Sequence, residues 1–211
     1  VVPERPPEIV LVRHGETEWS RSGRHTGRTD VPLTAAGRRQ AELVAFQLRD
    51  RAFTRVLTSP LTRALETLRR AGLDGSAELR DDLVEWDYGT YEGRTTAEIR
   101  AERPGWSLWD DGAPGGEVAA AVASRVDPLV TELRVTRGDV AVFAHGHVLR
   151  VLAARWLDLP PAQGRRFALS TATVSVLGWE RETPVIVGWN QHCGDEPGEA
   201  SLLGRSTGEM A

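Results

Sequence analysis

The sequence predicts an α/β fold: a central sheet with helices on both faces. Two observations carry the prediction. Short, continuous apolar runs (IVLV at 9–12 and DVAVFA at 139–144) have the composition and length of strands buried on both sides. Between and after them lie longer stretches whose apolar residues recur at helical spacing, so strand and helix alternate along the chain. No internal repeat and no linker divides the 211 residues, and one domain over 1–211 is expected.

A Pro-rich lead-in over 1–7 has no periodicity. The first strand is expected over 8–13, ended by a turn at His14-Gly15. Thr34 has the chemistry of an N-cap for a helix over 35–50, with Ala41, Leu43, Val44, Phe46 and Leu48 on its apolar face. A short strand follows at 56–58. Pro60 suits the first turn of a helix reaching residue 70, with Ser59 as its cap. A short helix over 95–102 is stopped by Pro104, and a longer one over 117–133 places Val118, Val122, Val126, Leu129 and Leu133 near helical spacing. The second buried strand, 139–144, runs into His145-Gly146-His147 and an apolar helix over 148–157. Two last strands, 171–179 and 184–189, are joined by a polar turn, and the Gly- and acid-rich stretch over 190–211 is expected as an irregular tail. In open α/β sheets ligands bind beyond the carboxyl ends of strands. His14 and His145 both fall at such ends.

Composition removes several classes. All 26 basic residues are arginine. Without lysine there is no Walker P-loop, whose Lys lies on the phosphates, and no pyridoxal phosphate chemistry, which needs a Schiff-base Lys. What remains are guanidinium groups, which bind phosphate and carboxylate bidentately and stay charged at any relevant pH. The single cysteine, Cys193, excludes a disulfide framework within the chain and a multi-Cys zinc site. No apolar run reaches the length of a membrane span and no signal peptide is visible, so a cytoplasmic protein with no membrane partner is expected. The net charge of −4 argues against non-specific nucleic-acid binding.

Four short segments carry chemistry. Arg13-His14-Gly15-Glu16 exposes a guanidinium and an imidazole at one strand end. In Thr58-Ser59-Pro60-Leu61-Thr62-Arg63 the arginine lies in the first turn of its helix, where the helix N-terminus and the guanidinium face the same anion. Glu85-Trp86-Asp87-Tyr88-Gly89 sets a carboxylate among aromatics, and desolvation there suits it to general acid work. His145 ends the second buried strand. A metal reading of His145-X-His147 fails for want of partners, since Leu149 and Arg150 stand where further ligands would be needed. No metal and no cofactor is expected.

LVRHGETEW, HTGRTDVPLTAAGRRQA, SPLTRALET, EWDYGTYEG and AHGHVLR occur in this order. Together they resemble the histidine phosphatase superfamily in its phosphoglycerate mutase-like branch, from about Ile9 to about Trp189. The resemblance implies a three-layer α/β/α sandwich with a mostly parallel sheet. It implies that His14 is the phosphorylated nucleophile, that Arg13, Arg63 and His145 grip the phosphoryl group, and that Glu85 is the general acid. It places Ser20 where many relatives carry Asn, and matches Thr26 and Gly27 to a segment reaching phosphate or substrate. Gly146 and His147 match a position giving a backbone amide and a variable side chain, and Tyr88 joins the substrate-binding set. Two guanidiniums and an imidazolium would then stabilise a loose, anionic transition state without a metal.

The same centre serves mutases and phosphatases. Mutases of this family carry a longer insert after the Glu segment, with a Lys and an Arg-Arg pair. Here 60 positions separate Glu85 from His145 and there is no lysine, so hydrolysis is expected. The motifs look most like the acid phosphatase and sugar-bisphosphatase subgroup, whose substrates are small phosphorylated metabolites. The alternatives are a phosphoglycerate mutase-type transferase and a non-catalytic phosphate- or phosphoprotein-binding module; loss of His14, Arg63, Glu85 or His145 would have favoured the module. Arg24, His25, Arg28, Arg94 and Arg150 are candidates for a second anion, and Trp106 and Trp109 for capping the pocket or stacking on a sugar. His192 and Cys193 lie in a tail expected at the periphery, and the short final strands permit a homodimer without requiring one.

Overall fold

The computed structural model describes residues 6–192. Its strands are β1 (Ile9–Arg13), β2 (Arg55–Thr58), β3 (Ala77–Leu79), β4 (Val140–Ala144), β5 (Thr173–Glu180) and β6 (Thr183–His192). They form one sheet in the order β3-β2-β4-β1-β5-β6. The first four in that order are parallel, and β5 and β6 add an antiparallel margin. β1 and β4 are in register from Ile9 opposite Val140 to Arg13 opposite Ala144. The next residues, His14 and His145, therefore leave neighbouring strands at the same level.

Helices cover both faces. They are α1 (Glu18–Arg21), α2 (Ala35–Leu48), α3 (Thr62–Arg70), α4 (Thr96–Glu102), α5 (Leu108–Asp111), α6 (Ala119–Arg134) and α7 (Gly146–Trp156), with short 3-10 turns between some of them. The period-two alternation of a strand splits the central apolar residues between two cores. Ile9, Leu11, Val140 and Val142 join α6 and α7 on one side, and Val10, Val12, Ala141 and Phe143 join α2 and α3 on the other. The result is the three-layer arrangement the motifs implied. Among the described residues no helix is long and apolar enough to cross a membrane.

Several expectations change. Thr34 caps α2 as predicted, its hydroxyl accepting from Gly37 N–H at 2.9 Å. Ser59 is not the N-cap residue of α3, which is Leu61 with no side-chain bond; the Ser59 hydroxyl accepts from Leu61 N–H at 3.3 Å, just before the helix, and lies 2.8 Å from His145 Nε2. α7 starts two residues earlier than expected, which makes His145 its N-cap residue. β6 runs through to His192, pairing Thr173 with His192, so 190–192 belong to the sheet and not to an irregular tail. His192 lies exposed at that strand end. Cys193 and the rest of the expected tail lie outside the described residues.

Candidate active site

Beyond the carboxyl ends of β1 and β4 lies a cavity of about 180 Å³. Arg13, His14, Glu85, Gly146 and His147 stand in its wall, joined by Tyr88 and Arg150. Glu85 is the one acidic side chain lining it among the described residues.

His14 is buried, and its Nδ1 lies 2.7 Å from the Gly15 carbonyl. A carbonyl can only accept, so Nδ1 carries the proton and Nε2 keeps a free lone pair. Burial first, then the Arg63 and Arg13 charges, hold His14 well below the usual 6.5, so the imidazole is neutral. The turn that presents it depends on two glycines. A Cβ on Gly15 would lie 2.3 Å from the Gly37 carbonyl oxygen, and one on Gly37 would lie 2.1 Å from that of Glu16. The chain leaving β1 thus crosses the first turn of α2 backbone to backbone. Gly15 N–H also donates to the Thr67 hydroxyl at 3.0 Å.

Glu85 is where α7 matters. Its Oε1 accepts from Trp86 N–H and Val148 N–H, both at 2.9 Å, and its Oε2 from His147 N–H at 3.0 Å. His147 and Val148 are in the first turn of α7, whose unpaired N–H groups and dipole favour an acceptor. The desolvation expected from the surrounding aromatics is therefore met by three backbone donors. Oε1 has spent both lone pairs, and Oε2 keeps one. Glu117 and Arg125 brace the segment: Asp87 N–H donates to Glu117, and Arg125 donates to Glu117 and to the Glu85 and Asp82 carbonyls.

Arg13 donates one Nη1 bond to the Leu169 carbonyl, while its buried Nε has no partner among the described residues. Its Nη2 makes no bond there and is not sealed off, so it opens on the cavity. Gly146 lets the guanidinium lie against the start of α7, since a Cβ there would stand 3.3 Å from Arg13 Cζ.

Arg63 and His145 sit one layer deeper and do not line the cavity. Arg63 is wholly buried, giving Nε to His145 Nδ1 at 3.0 Å and its other nitrogens to the carbonyls of Thr26, Gly27 and Thr29. His145 Nε2 lies 2.8 Å from the Ser59 hydroxyl. With Nδ1 accepting, Nε2 is the protonated nitrogen. Burial, Arg63, His14 and Arg13 hold His145 well below 6.5, so it is neutral imidazole and not the expected imidazolium. The N-terminus of α3 is not open to an outside anion either, because Asp30 accepts from both the backbone N–H and the hydroxyl of Thr62.

Ser20 and Thr26 line the cavity. The Ser20 hydroxyl is also half of a capping box with Thr17. Gly27 lies behind the wall: its N–H donates to Glu92, and a Cβ there would meet the Trp86 carbonyl oxygen at 2.6 Å. Tyr88 O–H bonds His147 Nδ1 at 2.7 Å. Burial raises Tyr88 well above 10 and lowers His147 well below 6.5, so the tyrosine donates to a neutral ring. Trp106 and Trp109 pack behind this wall, Trp106 edge-on to His25 and Tyr91 and Trp109 edge-on to Trp86. His145 and His147 point to different partners, and among the described residues no group of three or more His, Cys, Asp or Glu is placed to hold a metal ion.

Sequence reasoning missed Ser59, Thr67, Glu117 and Arg125 as supports. Nothing local marks them, because each acts through a partner 8 or more positions away.

Comparisons with known proteins give the chain's family. The sequence model of the histidine phosphatase superfamily (branch 1) matches residues 9–192. An acid phosphatase of Mycobacterium tuberculosis is 44% identical over 83% of this chain and 88% of its own. A sedoheptulose 1,7-bisphosphatase of Saccharomyces cerevisiae is 36% identical over 75% of this chain and 70% of its own. The solved structure of an open reading frame product from Mycobacterium tuberculosis superimposes with a TM-score of 0.84 at 41% identity, covering 89% of this chain and 99% of that one. A neutral histidine at a strand end, facing a carboxylate seated on a helix N-terminus, is thus found in a chain that belongs to the histidine phosphatase superfamily.

Proposed function

We propose that the protein is a metal-independent phosphomonoesterase that hydrolyses small phosphorylated metabolites through a phosphohistidine on His14. The observation that carries the reading is the His14 tautomer. Nδ1–H is held by the Gly15 carbonyl, so Nε2 faces the cavity as a neutral nucleophile. In the first step His14 Nε2 attacks phosphorus as the ester P–O bond breaks. Glu85, protonated on Oε2, gives its proton to the departing alkoxide. In the second step water attacks the phosphohistidine and its proton returns to Glu85 Oε2, releasing phosphate and neutral His14. Arg13 Nη2 meets the phosphoryl oxygens directly, and Arg63 supplies its charge from behind.

Ser20, Thr26 and Gly146 border the space the phosphoryl group would fill. The absence of lysine favours water over a second substrate as acceptor. We place the activity in the cytoplasm, where a chain with one cysteine needs no oxidising compartment. Turnover of p-nitrophenyl phosphate in the presence of EDTA tests the reading. Turnover is expected to survive EDTA and to disappear in His14→Ala; strict metal dependence, or activity retained in that variant, would overturn it.

A further inference from the structure

The His14 tautomer rests on one acceptor, the Gly15 carbonyl. Glycine has no Cβ and turns more freely about its backbone than any other residue. A trans peptide is planar, with its C=O and N–H on opposite sides. If the Gly15–Glu16 peptide turned over, its N–H would face His14 Nδ1 in place of its C=O. Nδ1 would then have to accept, and the proton would sit on Nε2. The nitrogen that faces the cavity would have no lone pair with which to attack phosphorus.

Gln40 stands against that rotation. It lies on α2, one turn beyond Gly37, where the helix crosses the chain leaving β1. Its Oε1 accepts from Glu16 N–H at 2.9 Å, on the side of the peptide opposite His14. Of the two ends of its amide only the oxygen can accept, so the bond also fixes which way the amide points. The Thr171 hydroxyl donates toward the same oxygen at 3.4 Å. Gln40 thus joins α2, the turn after β1 and the chain entering β5.

The flanking peptides are tied separately. The His14 carbonyl accepts from Ala172 N–H at 3.1 Å, and Gly15 N–H donates to the buried Thr67 hydroxyl at 3.0 Å. On the far side, the Glu16 carbonyl accepts from Thr34 N–H at 2.9 Å. The plane between them has two bonds of its own, one to His14 and one to Gln40. A bond to its N–H also polarises the peptide and makes its carbonyl a stronger acceptor. Gln40 itself does not line the cavity.

We propose that Gln40 is a positioning residue: by holding Glu16 N–H it fixes the Gly15–Glu16 peptide and keeps His14 in the tautomer protonated on Nδ1. The proposal rests on the phosphatase reading above and names what keeps its nucleophile in the reactive form.

Gln40→Leu and Gln40→Glu test it, with p-nitrophenyl phosphate as substrate and the ring nitrogens of isotopically labelled histidine read by NMR. Leucine suits a helix as well as glutamine does but has no acceptor, whereas glutamate keeps the oxygen. In Gln40→Leu the form of His14 protonated on Nε2 is expected to appear, and kcat/KM to fall about tenfold, the worth of one hydrogen bond in rate. Gln40→Glu is expected to keep the wild-type tautomer and most of the rate. The His14 signals are those missing from His14→Ala, and unshifted His145 and His147 signals show that each variant is folded. An unchanged His14 tautomer in Gln40→Leu, whatever its rate, would overturn the positioning role and leave the phosphatase reading intact, as would a Gln40→Glu protein as impaired as Gln40→Leu. Wild-type turnover that survives His14→Ala, or no turnover at all, would overturn both.

Discussion

At the scale of single residues, the site separates two tasks that both need a desolvated pocket. In the proposed mechanism His14 must be neutral to attack, and burial, then the Arg63 and Arg13 charges, disfavours its charged form. In the same proposal Glu85 must carry a proton in one step and accept one in the next. Three backbone donors fix its carboxylate and leave one lone pair of Oε2 for that work. In Glu85→Gln, kcat should fall by about 10²- to 10⁴-fold on an alkyl phosphate, the range for loss of general acid catalysis. The loss should be clearly smaller on p-nitrophenyl phosphate, whose leaving group needs little protonation. Measuring both substrates checks the role, because a merely structural defect lowers both rates alike.

At the scale of elements, the motifs were legible because their residue types are demanded by local chemistry. The ends of β1 and β4, the Thr34 cap and the turn at His14-Gly15 all declare themselves in sequence. Ser59 shows the limit. A serine before proline at a helix start reads as a cap, yet the helix begins later, and the hydroxyl, besides accepting from Leu61 N–H, reaches His145, 86 positions away. β3 was not legible, being three residues long and largely exposed. The resemblance gave the start of α7 a backbone amide, but no pattern near 146–148 says that the His147 and Val148 N–H groups hold Glu85.

The crossing of Gly15 and Gly37 gives a prediction at this scale. Alanine in a helix is favoured over glycine by about 1 kcal/mol. At Gly37 its Cβ would stand 2.1 Å from the Glu16 carbonyl oxygen, and such overpacking costs about 1–3 kcal/mol or more. The clash is with backbone, so it should win. Gly37→Ala should lower the denaturation midpoint and displace His14, reducing kcat as well; a variant as stable and active as wild type would refute the crossing.

At the scale of the whole molecule, the sheet order puts the parallel strands β1 and β4 at the centre and their carboxyl ends at one mouth. That arrangement was foreseeable from the alternation of strands and helices. The neutrality of the histidines was not, since burial is a property of the assembled fold. His14, His25, His145 and His147 all have folded values below the ordinary 6.5, with burial the first cause in each. Below that value the unfolded chain binds more protons than the folded one, so stability rises with pH and is lost as pH falls. Each histidine adds a slope of about 1.4 kcal/mol per pH unit between 6.5 and its folded value. Thermal unfolding should therefore move to lower temperature as pH drops below 6.5. His25→Asn should flatten the curve between 6.5 and about 4, the window set by His25 itself. A midpoint unchanged by that substitution across the window would refute the buried, neutral state of His25.

The central claim is that phosphate passes through His14. Quenching the enzyme during turnover, under alkaline conditions that preserve phosphohistidine, and mapping the phosphoryl adduct by mass spectrometry tests it most directly. The account predicts the adduct on the peptide containing His14, discharged on incubation with water and absent in His14→Ala. An adduct on any other residue, or steady turnover by His14→Ala without one, would contradict it.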